Sequence, residues 1–223
     1  MNYQEPSLRG IIDKYVKVGF DEARKITKEE THKHSKEIKD AAWASGSQII
    51  NGICVSLLNY PPEKKYPPLS RPSLVLTAII TDFTKTFQNA FRLAEEGYYR
   101  SAFGELRDLL ELAMMMKLFY EEPPEFDRWY KDPNVLFTTK KMRRLSLFMN
   151  SGLNNEIKKL SNALSRNRHS SSKCLDSRGK VMTNICYYRK DLFDKWCKHL
   201  ILMEKWIEKI YLLNQTNCKS IIY

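Results

Sequence analysis

The sequence predicts an all-α fold, a helical bundle. Apolar residues recur three and four positions apart along most of its length, the period of a helix face. No segment alternates with a period of two for long. Glycine is scarce, at 8 of 223 residues, which argues against a turn-rich β-barrel or a low-complexity chain. With 43% hydrophobic and 28% charged residues, the composition is that of a globular protein. The length suffices for a full core and suits one large domain or two small ones.

Glu5-Pro6-Ser7 opens the first helix, with proline and an acid in its first turn. Leu8, Ile11, Ile12, Tyr15, Val16, Val18 and Ala23 follow at mostly helical spacing. A second helix is expected over 28–58, polar in its first half and apolar over 41–58. Gly46 and Gly52 inside it cost helix stability, so they point to close helix packing or a bend. Together these helices form an N-terminal helical hairpin over residues 1–59. Residues 60–72 then hold Pro61, Pro62, Pro67, Pro68 and Pro72. Proline lacks a donor and fixes its own dihedral, so no helix passes through, and this segment reads as a linker.

The helix expected over 73–96 carries Leu76, Ile79, Ile80, Phe83, Phe87, Ala90, Phe91 and Ala94 on one stripe, and Gly97 supplies its C-cap. The next, over 98–120, has Phe103, Leu106, Leu109, Leu110, Ala113, Met114, Met116 and Leu118. Two long helices separated by one glycine read as an antiparallel helix hairpin. Pro123 and Pro124 open a short helix through Trp129. Helices over 136–150 and 153–166, an irregular stretch over 169–180 and a last helix over 187–213 complete a bundle spanning 73–213, with 214–223 as a tail. The last helix sets Leu192, Trp196, Leu200, Met203, Ile207 and Ile210 at core spacing. Helix lengths are unequal and no signature recurs, so a helical solenoid is not expected.

The net charge is +11, and its placement carries more information than its size. Residues 138–198 hold fifteen Lys or Arg against four acids, Glu156, Asp176, Asp191 and Asp194, which is the whole excess; the rest of the chain has 22 of each sign. An excess confined to one contiguous third points to a surface that meets a polyanion; a cluster of solvated lysines is the plainer alternative. Lys140, Lys141, Arg143, Arg144, Lys158, Lys159, Arg166, Arg168 and Lys173 are the candidate phosphate contacts. Within the run Lys140-Lys141-Met142-Arg143-Arg144-Leu145, Met142, Leu145 and the later Phe148 give an apolar face. Such helices lie on membranes or phosphates, or pack that face into a core.

The five cysteines, Cys54, Cys174, Cys186, Cys197 and Cys218, include no pair two or three residues apart, so neither a zinc ribbon nor a redox pair is indicated. Their odd number and the polar start of the chain point to reduced thiols in the cytoplasm. The longest apolar stretch, near 74–80, is far short of the about 20 residues a membrane-spanning helix needs. His32 and His34 stand two apart on a helix and diverge, so they form no metal face. No phosphate loop, dinucleotide pattern or hydrolase elbow occurs. No metal and no cofactor are expected.

Two polar constellations remain. Arg107 and Glu111 are four apart and share a helix face. Leu106, Leu110, Ala113 and Met114 flank them, so partial burial is expected, and buried charges need partners. In Leu164-Ser165-Arg166-Asn167-Arg168-His169-Ser170-Ser171-Ser172, a histidine lies between arginines and hydroxyls at the end of a helix. That set can meet a phosphate or move a proton near neutral pH; a structural histidine is the more ordinary role.

The stretch Leu93-Ala94-Glu95-Glu96-Gly97-Tyr98-Tyr99-Arg100-Ser101-Ala102, running into Leu106-Arg107-Asp108-Leu109-Leu110-Glu111-Leu112-Ala113, resembles the central hairpin of HEPN-like helical proteins. Phe126-Asp127-Arg128-Trp129 and the later Leu164-Ser165-Arg166-Asn167-Arg168-His169 follow in the order found in uncharacterised prokaryotic members. The resemblance covers about residues 75–210 and leaves the N-terminal hairpin unexplained. It implies a HEPN-like core in which Arg107, Glu111 and His169 meet as a buried polar centre. The family's ribonuclease signature, Arg, four to six residues, then His, is absent: Arg166 and Arg168 stand too close to His169, and Ala163 and Leu164 occupy the places of the arginine.

Three functions follow in order of expectation. The first is a non-catalytic, nucleic-acid-associated protein in defence or RNA processing. The second is an interaction scaffold, a homodimer or protein complex formed through the N-terminal hairpin. The third is a metal-independent endoribonuclease in which His169 moves the proton and Arg166 or Arg168 stabilises the developing charge.

Overall fold

The computed structural model describes residues 3–4, 6–58, 72–121, 123–132, 153–169 and 187–218. Among these residues every regular element is helical. The helices are α1 (Leu8–Ile11), which widens into a π turn at Ile12–Val16, α2 (Phe20–Leu58), α3 (Pro72–Glu95), α4 (Tyr99–Glu121), α5 (Pro123–Lys131), α6 (Leu153–His169) and α7 (Lys190–Cys218). The chain is an all-α helical bundle. The helix expected over 136–150 and the irregular stretch after His169 lie outside the described residues, as do residues 59–71 and 219–223.

The N-terminal elements differ from their expected form. Gly19 has φ +85°, a conformation glycine reaches without steric cost, and it separates the π turn from α2. Helix α2 therefore begins at Phe20, well before residue 28, and Ala23 belongs to it. Asp21 and Glu22 fill its first turn, where the helix dipole favours negative charge. Of the stripe expected on the first helix, Tyr15 is buried, whereas Ile12, Val16 and Val18 face solvent.

Helix α2 breaks its own regularity at Ser35, whose φ and ψ are −136° and 22°. Just before the break, the Thr27 and Thr31 hydroxyls donate to the carbonyls of Ala23 and Thr27, at 2.7 and 2.9 Å. Such back-bonding bends helices. Helix α2 runs antiparallel to α3: Arg24 reaches Glu96, Lys39 reaches Glu95, and the Trp43 ring packs on Phe91 and Phe87. At Gly46 the two helices pack closely, since a Cβ there would overlap the Phe87 ring. Gly52 has open space around it, so packing does not account for that glycine.

Helices α3 and α4 are joined as the sequence predicts. The Tyr98 N–H donates to Leu93 C=O at 2.8 Å and the Gly97 N–H to Ala94 C=O at 3.1 Å, the paired bonds of a Schellman cap, with Gly97 at φ +83°. The expected apolar stripe of α4 is buried throughout, from Phe103 to Leu118. Helix α4 is the central element, packed against α3, α5, α6 and α7. It runs parallel to α7, since Tyr99 meets Arg189, Ala102 meets Trp196 and Phe103 meets His199. Fully buried side chains such as Phe83, Phe103, Leu106 and Phe193 each contribute about 1.5–3 kcal/mol relative to exposure. Ala42, Ile49 and Ile53 of α2 lie in the same core cluster as α3, α4, α6 and α7. Among the described residues, no helix is long and apolar enough to cross a membrane.

Candidate functional site

The residues singled out by sequence fall into three groups. Lys158 and Lys159 are exposed on α6, whose other face buries Ile157, Leu160 and Leu164. Arg166, Arg168 and His169 form the last turn of α6, but their side chains lie outside the described residues. So do Lys140, Lys141, Arg143, Arg144 and Lys173. Further along the basic third, Arg189 and Lys190 each pair with an acid at the start of α7, Arg189 buried and Lys190 partly exposed. The Arg189 guanidinium is buried against Asp191, at 3.1 Å, and Lys190 pairs with Asp194 at 2.7 Å. Lys198 is exposed on α7.

The Arg107–Glu111 pair forms as its spacing suggests. Both Nε and Nη2 of Arg107 lie 2.9 Å from Glu111 Oε1, with the two side chains 25% and 32% exposed. This is partial burial at the edge of the core.

Sequence reading missed a densely bonded polar region. Tyr187, Tyr188 and Arg189, all buried, thread between α2 and α4 before α7 begins. The Arg189 N–H donates to the Tyr99 hydroxyl at 3.0 Å, and the Tyr3 hydroxyl donates to the Tyr188 carbonyl at 3.0 Å. Where α2 breaks, Ser35 Oγ donates to Asp194 Oδ1 at 2.7 Å. Its single hydrogen is thereby committed, so the Tyr188 hydroxyl, 2.8 Å away, donates to Ser35. Burial pushes the Tyr188 phenol up to about 12, which keeps it protonated and a donor. The His34 ring stacks on Tyr188, with Tyr3 edge-on to both. His34 Nε2 lies 3.2 Å from Glu30, which also binds Lys14 at 2.7 Å. Burial alone would raise the Glu30 carboxyl; the Lys14 hydrogen bond, with the charges of Lys14, His34 and Lys33, outweighs it and holds the group below its ordinary value.

A second polar knot sits at the end of α3. The Glu96 side chain is only 3% exposed and takes Arg24 at 2.6 Å and Lys28 at 3.1 Å. Burial again works upward on its carboxyl, and the two cations carry it below the ordinary carboxylate value. Gly97 beside it lies against the Tyr187 backbone. In the parallel pair of helices α4 and α7, the His199 ring donates its Nδ1–H to Lys195 C=O, 2.6 Å away, and burial lowers its affinity for a proton. Burial also pushes the neighbouring Cys197 thiol up, which keeps it unreactive.

These groups lock helices together. A catalytic serine needs a base within reach and an open path for substrate. Ser35 is buried, its proton is committed to a carboxylate paired with Lys190, and His34 Nε2 faces Glu30. Signals for this seam were present in sequence as two consecutive tyrosines and an arginine before a helix, and as Gly19 and Gly97. Nothing local pairs residue 35 with residue 188. Among the described residues, no three His, Cys, Asp or Glu side chains group so as to hold a metal.

Comparison of the chain with protein-family models, curated proteins and solved structures gives no match.

Proposed function

We propose that the chain is a nucleic-acid-binding helical protein with a HEPN-like core and an added N-terminal helical element, acting by binding without cleavage. One observation carries this reading: the whole +11 excess belongs to residues 138–198. The exposure of Lys158 and Lys159 over a buried apolar face of α6 supports it. The long helices joined at Gly97 and the Arg107–Glu111 pair support the HEPN-like part. A role in defence or RNA processing belongs to the same proposal.

Fluorescence anisotropy with labelled single- and double-stranded RNA and DNA at several salt concentrations tests it. Affinity should fall linearly on a log–log scale, with a slope of about −0.7 per neutralised phosphate for single strands. Replacing Lys158 and Lys159 by alanine should weaken binding uniformly across sequences and flatten that slope by about 0.7 for each lysine–phosphate pair removed. No binding at low salt overturns the proposal. The same RNA, incubated with chelator, tests the enzymatic alternative: cleavage that disappears in His169→Ala replaces binding by ribonuclease activity.

A further inference from the structure

Helix α2 passes from one apolar cluster to another at Ser35. After the break, Ala42, Ile49 and Ile53 belong to the main core and Ile38 packs on it. Before the break, Tyr15 and Ala23, with Ile11 and Ile26 packed beside them, form a separate small cluster with Tyr98 and Tyr187. The ends of the other helices explain the division. Helix α2 runs antiparallel to α3, and so parallel to α4 and α7. Helix α7 begins at Lys190 and meets α2 at Ser35, through Asp194. Helix α3 ends at Glu95, whose carbonyl lies 3.5 Å from Thr31 Oγ1. The first half of α2 therefore projects past the start of α7, over the α3–α4 turn and Tyr187.

This part of the chain is tied together within itself. Lys14 of the π turn bonds Glu30 at 2.7 Å, and His34 approaches the same carboxylate. The Thr27 and Thr31 hydroxyls, though buried, turn back onto their own helix. Its two ends return to one residue of the bundle: the Tyr3 hydroxyl bonds the Tyr188 carbonyl, and Ser35 bonds the Tyr188 hydroxyl. Between those clasps, Glu96 of the α3–α4 turn takes both Arg24 and Lys28. A segment whose hold on the core has few buried apolar contacts opens at lower free energy than the whole molecule.

We propose that residues 6–34 form an arm that opens from the bundle as one cooperative unit, hinged at Ser35 and latched by Glu96 on Arg24 and Lys28. Its opening uncovers Tyr187 and the α3–α4 turn while the bundle stays folded. This inference is independent of nucleic-acid binding.

Native-state hydrogen exchange of the full chain, resolved by residue, tests it. The amides of α2 before Ser35 should share one protection factor, at least tenfold below those of Ile49 and Ile53 in the same helix, with the step at Ser35. Ile49→Val should lower protection across the bundle about two- to tenfold, the scale of one buried methyl group, and leave the arm unchanged, because Ile49 stays buried when the arm opens. Glu96→Gln should lower the arm's protection about tenfold or more, the scale of a hydrogen bond to a charged group; the bundle amides fall with it, since the latch is broken in global unfolding too. Equal protection on both sides of Ser35 overturns the proposal. So does a gradual decline toward the N-terminus, which is fraying, and so does an Ile49→Val variant in which the arm falls as far as the bundle. An arm indifferent to Glu96→Gln overturns the latch.

Discussion

Two glycines with nearly the same backbone conformation should tolerate alanine very differently. Gly19 and Gly97 have φ of +85° and +83°. An L side chain in that region costs about 1–2 kcal/mol, and this term is common to both sites. So is the loss of freedom in the unfolded chain on replacing glycine, a stabilising effect of about 0.4–1 kcal/mol. The surroundings differ. At Gly19 a Cβ meets nothing within 4 Å; at Gly97 it would lie 2.8 Å from both the backbone nitrogen and the carbonyl oxygen of Tyr187. Those atoms cannot rotate away as a side-chain tip does. Overpacking of this kind costs about 1–3 kcal/mol, so Gly97→Ala should lose that much more than Gly19→Ala. Urea unfolding of the two variants measures the difference. With a slope of about 1–3 kcal/mol per molar urea, the midpoints should separate by about 1 M, Gly97→Ala unfolding first. Equal losses would refute the argument that Tyr187 is held against the end of α3.

Two further outcomes follow from the polar seam. Ser35→Ala leaves the buried Tyr188 hydroxyl without its acceptor and should cost about 1–3 kcal/mol; Tyr188→Phe removes the orphan as well and should cost less, both read by chemical denaturation. Stability should also fall in acid, in two windows. His199 takes up a proton less readily in the folded chain, so its contribution is complete above about 6.5, the ordinary histidine value, and declines as pH falls toward its lowered folded value. Glu30 and Glu96 sit below the ordinary carboxylate value, so their contribution is present above about 4.5 and disappears as pH falls through their folded values. Thermal melts against pH should show both declines, and His199→Gln should abolish the upper one alone.

The helices were legible because their signals are local. The stripe from Phe103 to Leu118 and the glycine after Glu96 define α4 and its junction with α3 without reference to anything distant. The N-terminal break was legible in principle at Gly19, but Ile12, Val16 and Val18 follow helical spacing and mask it; periodicity does not reveal that a π turn rotates them outward. The seam was illegible for a different reason. Ser35, Tyr188 and Asp194 come together only after α2 and α7 pack, across more than 150 residues of chain. The Arg107–Glu111 pair lies between these cases: its spacing gave the contact, while its place at the edge of the core depends on the neighbouring helices.

The separation of these regions bears on how the protein works. Its best-bonded polar groups are consumed in fastening α2, α3, α4 and α7. Arg189 and Lys190, although they belong to the cationic third, are consumed with them. On the nucleic-acid-binding proposal, the polyanion is met by the remaining bases, of which Lys158 and Lys159 stand exposed on α6, a helix that contributes none of the seam's bonds described above. The consequence is a clean division between variants. Changes at Ser35, Glu96 or Gly97 should lower binding only as far as they lower the folded fraction, leaving the salt slope of the surviving molecules intact. Changes at Lys158 or Lys159 should alter that slope at full stability. A seam variant that folds normally yet changes the salt slope would mean that the interior network sets the binding surface, and that the lock is part of the site.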